Sequence, residues 1–129
     1  YRGLVLRSQV GVFALAIVVA AAAWPLAGVG VRVFGAEFAP AATTLRLLLL
    51  GLPFVYVTWI LHAVAIAADR TRALLVVTSI GTALNVGLNL FLIPRYSYNG
   101  AAVATVISEV VAMSALMYGL RSALRPARA

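Results

Sequence analysis

The most unusual residue in the sequence is a carboxylate, Glu109, which lies in an otherwise apolar stretch from about Gly100 to Leu120. At about 1.5 Å per residue, it lies roughly 14 Å into a helix, near the middle of a bilayer. A charged group is costly there and must face other helices, a water-filled cavity or a partner. Two interpretations stay open. Glu109 is a proton or cation site or the wall of a substrate pathway, or it is a protonated carboxyl that joins a neighbouring helix.

The preceding apolar stretch offers that neighbour as a stripe of polar residues. Spacings of four, three and four place these residues on one helix face: Thr78, Thr82, Asn85 and Asn89. If the chain folds back about a turn near Ser97, Asn85 comes close to the level of Glu109. The pattern therefore predicts a polar seam between two antiparallel helices, in which Asn85 or Asn89 reaches Glu109.

Arg46 lies about one turn inside another apolar stretch. It is either an anchor that extends its charge to the membrane interface or an anion contact that faces a cavity, because a guanidinium suits phosphate. Five residues are thus candidates for a substrate pathway or a coupling site: Glu109, Asn85, Asn89, Thr82 and Arg46.

The sequence offers few residues or motifs for catalysis or metal binding. The sequence has no Cys, which excludes disulfides, thiolate metal sites and cysteine nucleophiles. We expect the single histidine, His62, to be packed or interfacial rather than a proton relay. The sequence also lacks a supported Ser/His/Asp set, paired carboxylates and a glycine-rich phosphate loop. We therefore expect no enzyme activity, no metal and no cofactor.

The composition is that of a membrane protein. Of 129 residues, 64% are hydrophobic and 10% are charged, whereas soluble domains carry about 45–50% and about 25%. The net charge of +7 comes from ten arginines that are scattered between apolar runs. Because they form no basic stripe with interleaved aromatics, we expect no nucleic-acid partner; the lipid bilayer is the expected partner.

Four apolar stretches are long enough to cross a bilayer as helices. They predict an all-α integral membrane bundle of four transmembrane helices in a single membrane domain over residues 1–129, with spans at about 8–27, 42–68, 72–94 and 100–121. Trp24-Pro25 and the following Gly-Val-Gly are expected to stop the first helix, and we interpret the segment GVGVRVFG as a turn. Pro94 is expected to close the third helix, and Pro53 to kink the second.

The arginines also predict an orientation. With four crossings, seven of them share one side of the membrane with both termini, and three lie on the other. The positive-inside rule then makes both termini cytoplasmic, in the plasma membrane. Because the chain opens with Tyr1 rather than Met, we expect it to be a fragment of a longer transporter.

One segment carries a more specific signal than the overall composition does. Residues 84–109 read LNVGLNLFLIPRYSYNGAAVATVISE, an Asn-rich helix that ends in Leu-Ile-Pro and re-enters through Gly-Ala-Ala-x-Ala-Thr-x-x-Ser-Glu. This resembles the polysaccharide exporters, the lipid-linked oligosaccharide flippases of the multidrug/oligosaccharidyl-lipid/polysaccharide exporter superfamily. The upstream segments VFGAEFAPAATTLRLLLLGLPFVYV and AIAADRTRALLVV resemble the same proteins in order. The chain departs from the family at its turn, where RYSYNG replaces the common Tyr-Gly.

The resemblance implies twelve or fourteen spans in two lobes around a central cavity, of which this chain is most of the C-terminal bundle. It also implies alternating access that moves a lipid-linked sugar across the bilayer, with the missing N-terminal lobe as partner. Three alternatives stay open: a peptidoglycan-precursor flippase, a multidrug exporter of the same superfamily, and a membrane scaffold that does not transport.

Overall fold

The computed structural model describes residues 2–121. Within this range the chain forms three long helices and one short 3-10 helix, and it contains no strand. The long helices are α1 (Arg2–Val33), α2 (Ala41–Ala67) and α3 (Thr71–Leu120), and the 3-10 helix spans Ala36–Phe38. The all-α prediction is confirmed for the described residues.

Helix α1 is longer than the sequence predicts. It continues through Pro25 to Val33, so the expected stop at Trp24-Pro25 and the turn at GVGVRVFG are both wrong. A proline removes a single backbone donor, whereas a break in apolar surroundings would leave several groups without partners. The residues after Pro25 are mostly apolar and keep their backbone bonds inside the helix. The chain leaves α1 at Phe34 and Gly35, where Gly35 takes a φ of 123° that favours glycine.

Helix α2 begins directly after Pro40 and contains Pro53. A tight turn at residues 68–70 follows, in which Asp69 has a φ of 54° and the amide of Arg70 donates to the carbonyl of Ala65. This turn satisfies the carbonyls at the end of α2 and directs the chain into α3.

Helix α3 consists of two arms, which correspond to the predicted third and fourth spans. The helical backbone is interrupted at Ser97, where φ is 54° and ψ is −136°. We refer to residues 71–96 as the first arm and to residues 98–120 as the second arm. Pro94 lies inside the helix and does not close it, so the chain reverses three residues later than the predicted stop.

The reversal at Ser97 is tight enough to bring backbone against backbone. A Cβ at Gly100 would lie 2.5 Å from the carbonyl oxygen of Leu92, closer than any real side chain approaches. Farther along, a Cβ at Gly81 would lie 3.8 Å from the Cβ of Ala112, an ordinary contact. These two approaches show that the arms pack against each other in opposite directions.

Helix α2 lies between α1 and α3 and contacts both. On the α1 side, the rings of Phe13 and Phe54 meet edge to face at 6.1 Å between centroids. The buried core lies toward the end of the bundle where α1 begins, and its residues come from all three helices: Val5, Val57, Leu61, Val64, Ala65, Leu116 and Leu120.

All three long helices are long and apolar enough to cross a membrane. Their outer faces carry exposed apolar side chains, and Leu90, for example, is 76% exposed. Apolar surface of this extent would be unfavourable in water but suits hydrocarbon. The fold thus supports a membrane bundle, with three helices of spanning length and the third divided into two arms.

The close approach at Gly100 yields a stability prediction. We expect Gly100→Ala to lower the free energy of unfolding by about 1–3 kcal/mol, the usual cost of inserting a methyl group into a packed site, because the methyl meets backbone atoms that cannot rotate away. Gly87→Ala in the same helix is the control, since nothing lies within 4 Å of its Cβ position. Thermal unfolding in detergent measures both, and an equal effect of the two substitutions would contradict the tight reversal.

The backbone at Ser97 yields a second prediction, of opposite sign. A non-glycine residue at positive φ costs about 1–2 kcal/mol, while glycine loses about 0.5–1 kcal/mol of chain entropy on folding. We therefore expect Ser97→Gly to raise the free energy of unfolding by about 0.5–1 kcal/mol. Ser79→Gly, inside the regular first arm, should lower it instead. The same thermal unfolding assay decides, and a loss of stability in Ser97→Gly would show that the serine side chain outweighs the strain.

Candidate functional site: a polar cavity between α2 and the arms of α3

Two contacts fix how α2 lies against the second arm of α3. The hydroxyl of Thr44 donates to Oδ1 of Asn99 at 2.6 Å, and a Cβ at Gly51 would lie 3.0 Å from Cγ2 of Val106. Both pairs are separated by 55 positions, so the two helices run parallel and in a constant register. This register places Glu109 at the level of Phe54 in α2.

A cavity of about 460 Å³ lies between α2 and the two arms of α3. Its polar lining comes from three helical segments. Helix α2 contributes Thr58 and His62; the first arm contributes Thr78, Thr82 and Asn85; the second arm contributes Thr105, Ser108 and Glu109. Trp59, Val77, Gly81 and Ala112 complete the wall. The predicted stripe on the first arm therefore faces the same space as Glu109, apart from Asn89.

Glu109 is partly buried, and its carboxylate faces this cavity. It forms no hydrogen bond and no ion pair with any described residue. The predicted contact from Asn85 or Asn89 is absent in this part of the chain. The carboxyl does not join two helices here, so the geometry favours a group that is open to water or to a ligand.

The two asparagines bond to each other instead. Nδ2 of Asn89 donates to Oδ1 of Asn85 at 2.9 Å, one helical turn apart. Asn85 lines the cavity, whereas Asn89 lines a shallower groove with Val86 and Pro94. A pair four residues apart on one helix is the nearest partner available to either amide, and it competes with a contact across to the second arm.

Two of the five hydroxyls that line the cavity donate to their own helix. Thr105 donates to the carbonyl of Ala101 at 3.0 Å, and Ser108 donates to that of Ala104 at 2.8 Å. Their oxygens keep lone pairs that can accept from a cavity occupant. Thr58, Thr78 and Thr82 have no hydrogen-bond partner among the described residues, and the hydroxyl oxygen of Thr58 is also fully buried.

His62 lies on the cavity wall one turn beyond Thr58. Its Nδ1 lies 2.7 Å from the carbonyl oxygen of Thr58, and because a carbonyl only accepts, Nδ1 carries the proton. Nε2 of a neutral ring is then free to accept a proton. The ring lies 6.3 Å from that of Trp59, centroid to centroid.

Arg46 lies apart from the other candidates and contacts α1. Its Nε donates to the carbonyl of Trp24 at 3.4 Å, and the guanidinium lies 5.9 Å from the centre of the Trp24 ring. An added Cβ at Gly28 would lie 3.4 Å from this guanidinium. This contact gives Arg46 a role in holding α1 to α2, and Arg46 does not line the polar cavity.

The sequence pattern missed the contribution of α2. We singled out neither Thr58 nor Ser108 as a site residue, and we expected His62 to be packed or interfacial. The spacing of Thr58 and His62 is a signal that was present, since residues four apart share a helix face. Which face of α2 turns toward α3 depends on how the two helices pack, and the sequence of α2 alone does not show it.

The electrostatics of the cavity are simple. Among the residues that line it, Glu109 carries the formal charge and His62 is the other titratable group; no arginine lines it. The described residues also hold no group of three or more acidic or histidine side chains suited to a metal ion. The cavity is therefore a hydroxyl-rich space with a single acidic group.

Cysteine accessibility would test whether this cavity is wet. The chain has no native cysteine, so introduced thiols are unambiguous within it. We expect Thr82→Cys to react with a small water-soluble thiol reagent in membranes, because the cavity is polar and large enough for water. Ala104→Cys is the matched control, since Ala104 is 0% exposed. Equal protection of the two thiols would show a dry helix contact in place of the cavity.

Comparison with known proteins identifies the family. The family model described as "Lipid II flippase MurJ" matches residues 12–128, nearly the whole chain. No curated protein and no solved structure gives a significant match. This family lies within the superfamily that the motif at residues 84–109 indicated, but it is a different branch from the oligosaccharide flippases. The chain belongs to the lipid II flippase MurJ family, whose members are multi-pass proteins of the plasma membrane.

Proposed function

We propose that this chain is part of a flippase that moves lipid II across the plasma membrane by alternating access, and that the polar cavity is its contribution to the transport pathway or to coupling. The family match over residues 12–128 is the observation that carries the proposal. A partly buried carboxylate that faces a cavity, with no partner among the described residues, supports it, because such groups within membranes mark transport pathways and relays.

The charge of the cavity limits its role. A lipid-linked sugar pyrophosphate is anionic and favours arginine or lysine, whereas the lining of this cavity has one carboxylate and no arginine. We therefore assign binding of the pyrophosphate to other parts of the transporter, including an N-terminal lobe. Transporter sites lie between lobes near the midplane, and this bundle supplies one wall of such a space.

The proposal includes four crossings. At about 1.5 Å per residue, the first arm of α3 is roughly 39 Å long and the second roughly 34 Å, and each exceeds the ~30 Å hydrocarbon core. Together with α1 and α2, this gives four spans. The distribution of arginines supports a cytoplasmic position for both termini and an outer position for the reversal at Ser97.

The family match favours a peptidoglycan precursor over the oligosaccharide or polysaccharide precursors that the motif alone predicts. A multidrug exporter and a membrane scaffold have no observation in their favour here and become outcomes of the test. The proposed activity transports a lipid without altering its bonds, so it is not enzymatic and uses no cofactor.

Complementation tests the proposal. The complete parent protein is expressed in cells depleted of their own lipid II flippase, and labelled lipid II is measured at the outer membrane face. We expect the parent to restore outward lipid II and growth, and Glu109→Gln to lower transport at least tenfold at equal expression, about 1.4 kcal/mol. Glu37→Gln, in the exposed 3-10 helix before α2, removes a carboxylate outside the cavity and should transport normally.

Arg46→Ala separates a structural role from transport. Because Arg46 contacts Trp24 of α1, we expect this variant to lower the amount of folded protein while transport per folded molecule stays near that of the parent. Failure of the parent to move lipid II, with movement of a lipid-linked oligosaccharide instead, would favour the oligosaccharide branch. Failure with every lipid-linked sugar would favour drug export or a scaffold.

A further inference from the structure

We propose that Glu109 is a proton-binding group, reached by water through the polar cavity from the end of the bundle where α2 ends, with His62 as the proton relay on that path. The inference rests on the proposed transport function and deepens it by naming the coupling ion. It is carried by the observation that Glu109 and His62 line the same cavity at different depths.

The register of the helices gives the direction of the path. Glu109 lies at the level of Phe54, and His62 lies eight residues farther along α2. At ~1.5 Å per residue, this separates the two levels by about 12 Å along the bundle axis. Since both side chains line the same cavity, the space extends from the carboxylate toward the end of the bundle that holds the start of α1 and the end of α3.

Between these levels the wall offers hydrogen-bonding groups for water. Thr78 and Thr82 of the first arm lie between the two levels, because Gly81 of that arm packs against Ala112 of the second. A water in the cavity can hydrogen-bond to these hydroxyls and to a further water. Such a chain of waters joins Glu109 to His62.

The histidine is set up to pass a proton. The carbonyl of Thr58 fixes the proton of a neutral His62 on Nδ1, which leaves Nε2 as the acceptor. His62 accepts at Nε2 a proton that arrives through water from the Glu109 carboxyl and passes it to the water at its own end of the bundle.

The surroundings of Glu109 favour a proton over a metal ion. From α2 the titratable group that lines the cavity is His62, the first arm of α3 contributes none, and the second arm contributes Glu109 itself. No lining arginine neutralises the carboxylate. A metal ion needs several converging ligands, and the described residues hold no group of three or more acidic or histidine side chains suited to one. A proton needs one acceptor.

The coupling step is balanced. With Glu109 open to the outer side, hydronium there loses a proton and the carboxylate of Glu109 becomes a neutral carboxylic acid. Neutralisation removes the cost of closing a low-dielectric site over a charge. After the transporter reopens to the side of His62, which is the cytoplasmic side in the proposed orientation, the acid returns the proton through His62 to the water there. The proton gradient thus drives the change of access that moves the lipid.

Two measurements on the reconstituted full-length parent test the inference. The first is the infrared carboxylic-acid band of the protein as pH is lowered, which reports protonation without transport. We expect one band to be lost in Glu109→Gln and kept in Glu37→Gln. The second is the rate of lipid II flipping with and without an imposed pH gradient in sodium-free proteoliposomes. We expect a severalfold stimulation in the parent and in Glu109→Asp, and none in Glu109→Gln.

The variant His62→Gln distinguishes the relay from the binding group. We expect it to keep the infrared band of Glu109 but to lose most of the stimulation by the gradient. An unchanged band in Glu109→Gln, or a rate that responds to a sodium gradient and not to a pH gradient, would overturn the inference. A parent that shows the Glu109 band but flips no lipid II would refute the proposed function while leaving the proton site standing.

Discussion

The reversal of the chain between residues 94 and 100 is the constraint on which the rest of this bundle depends. Ser97 takes a positive φ, and Gly100 approaches the backbone of Leu92 more closely than any side chain would permit. The two arms of α3 therefore run antiparallel from the first turn onward. Without this approach the polar stripe of the first arm and the carboxylate of the second would not share a space, and α2 would have no groove to line.

The membrane explains how polar groups are distributed around that space. In hydrocarbon each backbone group must be satisfied within its own segment, so the helices continue through Pro25 and Pro94 where a soluble chain could stop. Side-chain hydroxyls follow the same rule when they donate to carbonyls one turn earlier. The Glu109 carboxylate and the Thr58 hydroxyl are among the groups that have no partner in the described residues.

The motif that points to the transporter superfamily has a structural role in this bundle. Gly100, Ala102 and Ala104 are buried, and their small size lets the second arm lie close to its neighbours. The segment therefore identifies the architecture and leaves the cargo open. The match over residues 12–128 identifies the lipid II flippase family rather than the oligosaccharide branch.

The sequence by itself determined the membrane environment, the all-helical class, the reversal near Ser97 and the shared face of Thr78, Thr82 and Asn85, because hydropathy and a period of 3.6 residues are local properties. It also marked Glu109, since a carboxylate at that depth is costly whatever surrounds it. Only the tertiary structure decided what these groups meet. The packing of α2 brought Thr58 and His62 to the cavity and turned Arg46 toward Trp24, and Asn89 bonded along its own helix rather than across to Glu109. Such contacts depend on how helices rotate against each other, and a single helix does not encode the face of its neighbour.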